Sequence, residues 1–232
     1  MPQKISALPV GALVKDTNTR YYGQTILFRI RAKNHTGYPA SSVTLQSDRI
    51  LCLKAFDAKE PSNSNINRRQ WGNNRYIHSN LRRWLNSEAA ANAWYAAQHG
   101  QDAPPNSSNV LSGWNPYENE AGFLTGFSTD MRAALMNTTL TVARNTETDG
   151  GGSETCVDKV FLGSNTEFGL ANENGIAEGT PLAGFANDAS RVGIPTPQCI
   201  SNSHAVSGPN STQGWSYWTR TAVASYTYIG LL

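Results

Sequence analysis

The stretch Trp215-Ser216-Tyr217-Trp218-Thr219-Arg220-Thr221, which continues as Ala222-Val223-Ala224-Ser225-Tyr226-Thr227-Tyr228, carries the most information about this chain. Its aromatic and β-branched residues, followed by small polar ones, predict a strand that leads into an exposed loop. We expect four tryptophans to lie mostly in the core, because large rings are mostly buried. They are Trp84, Trp94, Trp215 and Trp218. Tyr226 and Tyr228 lie beyond the last tryptophan, and we expect them to be exposed.

The same stretch supplies the candidate binding residues. Recognition surfaces favour tyrosine, tryptophan, serine and arginine, because rings give contact area at little entropic cost and small polar groups adapt their hydrogen bonds. For Arg220 we expect a stem packed on aromatic rings and a guanidinium bonded to loop carbonyls or a carboxylate. Its first role would be to shape the terminal loop, with ligand contact second. The candidates are Trp215, Tyr217, Arg220, Tyr226 and Tyr228.

The composition indicates one sizeable globular domain over residues 1–232, soluble mainly through neutral polar side chains. Charged residues make up 16% of the chain and hydrophobic ones 39%, and Asn, Ser, Thr and Gly fill the difference. A formal net charge of +2 gives no electrostatic basis for binding nucleic acid or an anionic membrane. No apolar run approaches the ~20 residues of a membrane helix, and we find no secretory signal, which predicts synthesis in the cytoplasm without membrane insertion.

Local patterns predict an α+β chain with short elements and long ordered loops. Ser79 or Asn80 would cap a helix that buries Leu81, Trp84 and Leu85, and the spacing of Ser164 and Glu167 matches a capping box at another helix start. Loops of this length need many side-chain hydrogen bonds, which would explain the abundant Asn, Ser and Thr. Strands are predicted at 25–31, 42–45, 49–56 (apolar enough to be central), 140–143 and 157–162, and further helices at 87–95 and 128–136.

Several segments, in collinear order, are similar to the DUF6273 family of phages and prophages of Firmicutes. Among them are Asn80-Leu81-Arg82-Arg83-Trp84-Leu85-Asn86-Ser87 and Asp158-Lys159-Val160-Phe161-Leu162, together with the Trp-Arg-Thr residues near the end. The family normally continues to a further closing strand, which the last residues of this chain do not match. The remaining similar segments are 8–16, 22–23, 33–39, 56–64 and 72–76.

This resemblance implies a C-type-lectin-like architecture, similar to that of formylglycine-generating enzymes, that displays a loop surface on a rigid body. It implies a virion-associated structural or adhesion protein at a tail or head-surface position. The partners would be other virion proteins and a host-surface glycan or protein. Without the closing strand of the family, the chain would expose an unpaired edge, which predicts a homo-oligomer or tight docking to another structural protein.

Motifs for an enzyme are weak, so we predict no catalytic residue. Glu118 and Glu120 could form a glycosidase pair, but carboxylates two apart in a loop are more often solvated. Oxygenase-like relatives of the fold need a cysteine pair, a role that Cys156 and Cys199 could take. We instead expect both, with Cys52, to be free thiols rather than disulfides or zinc ligands. A carbohydrate-active or oxygenase-like enzyme remains the alternative.

We also predict no metal and no cofactor. The lectin resemblance draws attention to Glu60-Pro61-Ser62-Asn63 and Trp71-Gly72-Asn73-Asn74, whose oxygens are of the type that calcium prefers. Their spacing is compressed, and we expect Asn63, Asn73 and Asn74 to fix loop backbone instead. The histidines lack the paired spacing of metal ligands, and we expect them in turns or on the surface. They are His35, His78, His99 and His204.

Overall fold

A computed structural model describes residues 4–203 and 209–224, together with the backbone of 229–231. Tyr226, Tyr228 and His204 lie outside the described residues. The helices are α1 (Ile66–Trp71), α2 (Asn80–Leu85), α3 (Thr129–Ala134) and α4 (Pro197–Ser201), with 3₁₀ turns at Ile5–Ala7, Tyr76–His78, Leu111–Gly113, Phe123–Gly126 and Asp188–Arg191. The strands are β1 (Leu13–Tyr21), β2 (Gln24–Lys33), β3 (Val43–Ser47), β4 (Thr138–Ala143), β5 (Ser153–Asp158), β6 (Trp218–Ala222) and β7 (Ile229–Leu231). The α+β class is therefore confirmed.

The strands form three small antiparallel sheets. The largest has the order β1-β2-β3, and its first hairpin turns at Tyr22 and Gly23, which both have positive φ, as the tight primed hairpin turns require. Strands β4 and β5 pair with each other, as do β6 and β7. In the last pair Trp218 lies opposite Leu231 and Ala222 opposite Ile229. The expectation that this chain lacks a closing strand is therefore wrong, because β7 supplies one.

Two predicted elements are absent from the described chain. Segment 49–56 is not a central strand: in it only Ile50 forms a bridge, to Pro195. Segment 87–95 is not a helix, because its backbone bonds elsewhere: the Leu124 N–H donates to the Ser87 carbonyl at 3.0 Å. Alanine has a high helix propensity, but a run this short is overridden by such tertiary contacts.

Two further predictions hold only in part. The predicted strand at 157–162 ends at Asp158 as β5. Ser164 and Glu167 do exchange the two bonds of a capping box, each between a side chain and the other residue's N–H at 3.1 Å. Residues 165–169, which follow Ser164, form turns and no helix. At Gly169 the backbone adopts a positive φ of 73°, which does not continue a right-handed helix.

Helix α2 lies at the main hydrophobic cluster, and its cap is Ser79, one of the two predicted candidates. The Ser79 hydroxyl accepts from the Arg82 N–H at 3.1 Å, and Trp84 is fully buried with its indole N–H bonded to the Ala121 carbonyl at 2.9 Å. Around Trp84 lie apolar residues of β2, β4 and the connecting loops, among them Ile26, Phe28, Tyr76, Tyr117, Leu124 and Leu140.

A smaller second cluster contains Phe168, Leu182 and Phe185, with Ala32 of β2. Tyr38 packs against both clusters, and β2 contributes side chains to both. The four tryptophans that we expected in the core divide into two pairs, because Trp84 and Trp94 are buried whereas Trp215 and Trp218 are only half-buried. In the described part of the chain, no helix is both long and apolar enough to cross a membrane.

Candidate functional site

Arg220 of β6 is the most highly connected side chain near the predicted recognition segment. Its Nε donates to the Thr141 carbonyl at 3.4 Å, and its Nη1 donates to the Leu162 carbonyl at 2.8 Å. Both Nη atoms donate to the Glu167 carboxylate at 2.6 Å, and Nη2 also reaches the Glu178 carbonyl at 3.0 Å. All five N–H donors of the guanidinium are thus engaged, and the residue is 1% exposed. Arg220 shapes the loops around it and is not available for ligand contact.

Two buried glutamates complete this network. Glu167 also accepts from the Tyr38 hydroxyl at 2.5 Å, and its charge raises the pKa of Arg220 although burial alone would lower it. Glu178 accepts from the Ala143 N–H at 2.9 Å and from the Thr221 hydroxyl. Burial raises the pKa of Glu178, an effect that these hydrogen bonds only partly offset. The sequence pointed to Glu167 through the capping box, but carried no signal for Glu178.

The loops around the end of β6 are tied to one another through backbone groups. The Asn145 side chain donates to the Val223 carbonyl at 3.0 Å, and the Ala224 N–H donates to the Glu173 carboxylate at 2.6 Å. Arg68 of α1 anchors this region by bonding Asp149 at 2.7 Å. We call residues 144–152, 172–175 and 223–224 the loop face. The segment with Tyr226 and Tyr228 follows directly from it in sequence.

Trp215 and Tyr217 lie elsewhere, on the wall of a large groove. The Tyr217 hydroxyl donates to the Arg191 carbonyl at 2.6 Å, and its ring packs 5.7 Å from that of Phe168. The Trp215 N–H donates to the Gly193 carbonyl at 2.9 Å. Of the five candidate binding residues, the structure therefore places one in the interior and two at the groove, and two lie outside its description.

The groove itself was not foreseen from the sequence. It has a volume of about 1270 Å³ and extends between the two hydrophobic clusters. The residues that line it include β3, segment 49–55 and residues 160–163 and 214–218. A concave opening of this size lined by apolar residues from both clusters is a candidate binding surface.

One cluster of titratable groups lies close to the groove. Lys54 is 8% exposed and forms an ion pair with Glu120, which also accepts from the Tyr21 hydroxyl at 3.2 Å. Burial would lower the pKa of Lys54, but Cys52 and Glu120 raise it overall. Burial raises the pKa of the Cys52 thiol to about 11. The lysine is therefore charged and the thiol protonated at neutral pH, so neither is an activated nucleophile.

The residues that could have formed the calcium site bind one another instead. Glu60 accepts from the side-chain amides of Asn63 and Asn73, the second at 3.1 Å. The amide oxygen of Asn63 accepts from the Asn65 N–H at 2.8 Å, and that of Asn73 accepts from the Arg75 N–H at 2.9 Å. These two asparagines fix loop backbone, as predicted. Over the described residues, no group of three or more His, Cys, Asp or Glu side chains could hold a metal ion.

Two histidines meet beside this network, although their sequence contexts are unrelated. The rings of His78 and His99 lie 4.9 Å apart, and the His99 Nε2 is 3.3 Å from the Glu60 carboxylate. Burial, together with the electrostatic effect of Arg75 and His99, lowers the pKa of His78 to about 4. His78 is therefore neutral at physiological pH.

The two cysteines that could have formed an oxygenase-like pair lie on different elements. Cys156 of β5 bonds Asp158 at 3.5 Å, whereas Cys199 is buried in α4. Burial raises the pKa of both thiols to about 12. All three cysteines are free.

Comparison with known proteins gave one match. A protein-family model described as "Domain of unknown function (DUF6273)" matches residues 40–230. The similar segments before residue 40 lie outside this match. No curated protein and no solved structure matches the chain.

Proposed function

The chain belongs to the DUF6273 family, and from this and its rigid loop face we propose that it is a virion-associated structural or adhesion protein without catalytic activity. Its scaffold would have the C-type-lectin-like arrangement that the resemblance implies. Its role would be to present the loop face, continued by Tyr226 and Tyr228, to a host-surface glycan or protein or to another virion protein.

The observation that carries this proposal is the way in which the loop face is fixed. Arg220 joins β6 to the loops that carry Glu167 and Glu178. The side-chain amide of Asn174 bonds the last residue of β6, and that of Asn145 bonds the residue after it. Loops held on a rigid body lose little entropy when they bind, which is what a recognition surface requires. The fold alone does not assign this function, so it rests on the site and the family together.

The enzymatic alternative finds less support in the same geometry. Glu120 is engaged by Lys54, so the pair that Glu118 and Glu120 could have formed has lost one free carboxylate. The raised pKa values of Cys52, Cys156 and Cys199 favour unreactive thiols. These features favour binding over catalysis.

Two experiments test the proposal. Mass spectrometry of purified particles should detect this chain in stoichiometric amount, and its absence from particles would refute a virion role. In particles that carry Tyr226→Ala plus Tyr228→Ala, adsorption to host cells should fall at least about tenfold, because exposed aromatic anchors contribute roughly 1–3 kcal/mol each to binding. The melting temperature of the purified variant should stay close to that of the parent.

The matched control is Leu13→Ala, which removes a 47% exposed apolar side chain from β1. It should change neither adsorption nor melting temperature. If instead the double tyrosine variant melts early and adsorbs normally once folded, the tyrosines are structural and the recognition face lies elsewhere.

A further inference from the structure

The groove exposes the free edge of a β-strand. Strand β3 is the last strand of its sheet, and its residues Val43–Ser47 are all half-buried and line the groove. Within the described chain, β3 forms ladder bonds with β2, and no backbone bond joins Val43–Ser47 to another segment on the opposite side. An unpaired strand edge is a ready template for another strand.

The opposite edge of the same sheet is protected in a way that β3 is not. Strand β1 carries Lys15, Asp16 and Arg20 along its length, and its register with β2 is irregular between Lys15 and Arg20. Charged side chains and bulges are the usual devices that block edge pairing. Of the residues in β3 itself, none is charged.

A second extended backbone lies in the same groove. Leu51, Cys52 and Leu53 are half-buried, and among the described residues no hydrogen bond engages their backbone N–H or carbonyl groups. Buried backbone groups are nearly always paired in native proteins. The groove therefore offers unpaired peptide groups from β3 and from residues 51–53, between apolar side chains.

The volume and charge of the groove indicate which kind of ligand it could bind. At about 1270 Å³ it exceeds the roughly 300–1,000 Å³ of a typical small-molecule pocket. The charged residues that line the groove are Lys4, Arg31, Asp48, Arg49, Lys54, Lys159 and Arg191. The acidic one, Asp48, pairs with Arg29, and Lys54 and Arg191 pair with Glu120 and Asp188. Arg31 and Arg49 bond only an amide and carbonyls, and among the described residues neither they nor Lys159 forms a salt bridge. This excess of positive charge complements an acidic occupant.

We propose that the groove binds an extended, acidic segment of a partner protein, which pairs with the free edge of β3 as a fourth strand and places alternate apolar side chains between the two hydrophobic clusters. Backbone pairing supplies affinity in this mode, and the side-chain pockets supply specificity. The inference deepens the partner-binding role proposed above but concerns a different surface, the groove instead of the loop face.

Amide hydrogen exchange on the purified protein tests the proposal directly. The probe is an eight-residue peptide that alternates valine and threonine and has an aspartate at each end. In the free protein, outward-facing amides of residues 43–47 should exchange rapidly, and saturating peptide should slow them at least about tenfold. A control peptide that is N-methylated at every amide should give no protection, because neither of its edges has an N–H group left to donate to a strand.

Charge variants give a second readout. Lys159→Glu should weaken the affinity for the peptide about tenfold, whereas Lys15→Glu on the opposite edge should change it less than about twofold. Tryptophan fluorescence, which Trp215 and Trp218 in the groove should dominate, reports the binding, and far-UV circular dichroism confirms that each variant is folded.

Several results would overturn the proposal. Slow exchange of residues 43–47 in the free monomer would mean that the chain itself covers this edge. Protection that grows with protein concentration, together with dimers in sedimentation, would assign the groove to a second copy. Equal binding of the N-methylated peptide would show that the groove takes side chains and not a strand. If laurate binds, and the peptide gives no protection up to about 1 mM, the groove takes lipids and not a strand. None of these results depends on particle adsorption, so this proposal and the virion role can fail separately.

Discussion

At the scale of single residues, the main feature is a buried ion pair between Arg220 and Glu167. Arg220 and Glu167 are 1% and 0% exposed, and each has further hydrogen bonds that satisfy its remaining polar atoms. Taking two charges out of water is costly, and the cost is repaid only when geometry and secondary hydrogen bonds are both good. This pair meets both conditions, which explains why Arg220 organises loops from three parts of the chain.

Removing either partner of this pair should be strongly destabilising. We expect Arg220→Met and Glu167→Gln each to lower the free energy of unfolding by roughly 3–5 kcal/mol, because each leaves polar groups buried without their partner. The double variant should lose less than the sum of the two. Urea unfolding of all four proteins measures these values.

The control for that cycle is Arg29→Met, which breaks the partly exposed pair with Asp48. It should change the free energy of unfolding by no more than about 1 kcal/mol. If Arg220→Met lowers the free energy of unfolding by less than about 1 kcal/mol, the buried ion pair of Arg220 and Glu167 does not stabilise the fold as we propose.

A second residue-scale prediction concerns acid. Burial, Arg75 and His99 lower the pKa of His78 from 6.5 to about 4, so between these values the unfolded chain binds the proton more readily than the folded one. The contribution of His78 to stability is complete above about pH 6.5 and is lost as the pH falls towards 4. His78→Gln should therefore flatten the decline of the melting temperature over this range. An unchanged slope would contradict the lowered pKa.

At the scale of elements, the helices are too short to be stable alone. Isolated helices below about 12–15 residues are marginal in water, and α2 is a six-residue element. It persists because Ser79 caps it and because Leu81, Trp84 and Leu85 are buried. The Ser79 hydroxyl also donates to the Tyr76 carbonyl at 2.9 Å, so one side chain joins the 3₁₀ turn to the helix.

Loss of this cap should therefore be measurable. Ser79→Ala should lower the free energy of unfolding by about 1–2 kcal/mol, since it leaves the Arg82 N–H and the Tyr76 carbonyl without their partner at a buried site. Thermal or urea unfolding provides the measurement. Ser108→Ala changes an exposed loop position whose side chain forms no hydrogen bond with the described residues, and it should stay within about 0.5 kcal/mol of the parent. Equal effects of the two variants would remove the capping role.

At the scale of the whole molecule, the two hydrophobic clusters are linked yet incompletely packed against each other. Tyr38 touches both, and β2 provides Phe28 to one and Ala32 to the other. The groove occupies the space that closer packing would have filled. Stability is therefore shared across the chain while part of the interior stays open.

These shared contacts predict a single cooperative unfolding transition. Far-UV circular dichroism and tryptophan fluorescence should give coincident urea curves, and Phe185→Ala in the smaller cluster should shift both to the same lower midpoint. Two separate midpoints would show that the clusters unfold independently, and would contradict one domain over residues 1–232.

The sequence by itself determined what depends on local chemistry. It predicted the α+β class, a helix cap at Ser79 or Asn80, and the burial of Trp84 and Trp94. It also predicted that Asn63 and Asn73 fix loop backbone and that Arg220 bonds loop carbonyls and a carboxylate. Caps, periodic apolar residues and asparagine turns act over a few positions, so a short stretch contains the whole signal. The family resemblance, read from collinear segments, was matched over residues 40–230.

Only the tertiary structure decided what distant residues do to one another. Segment 49–56 has the composition of a central strand, but pairing needs a neighbour at hydrogen-bonding distance, and only Ile50 finds one. The partners of Arg220 lie 42 and 53 positions away at Glu178 and Glu167, and the meeting of His78 and His99 is likewise non-local. The groove is lined by β3 and by loop segments that are far apart in sequence. Such a gap depends on the relative placement of distant segments, which no local pattern of residues encodes.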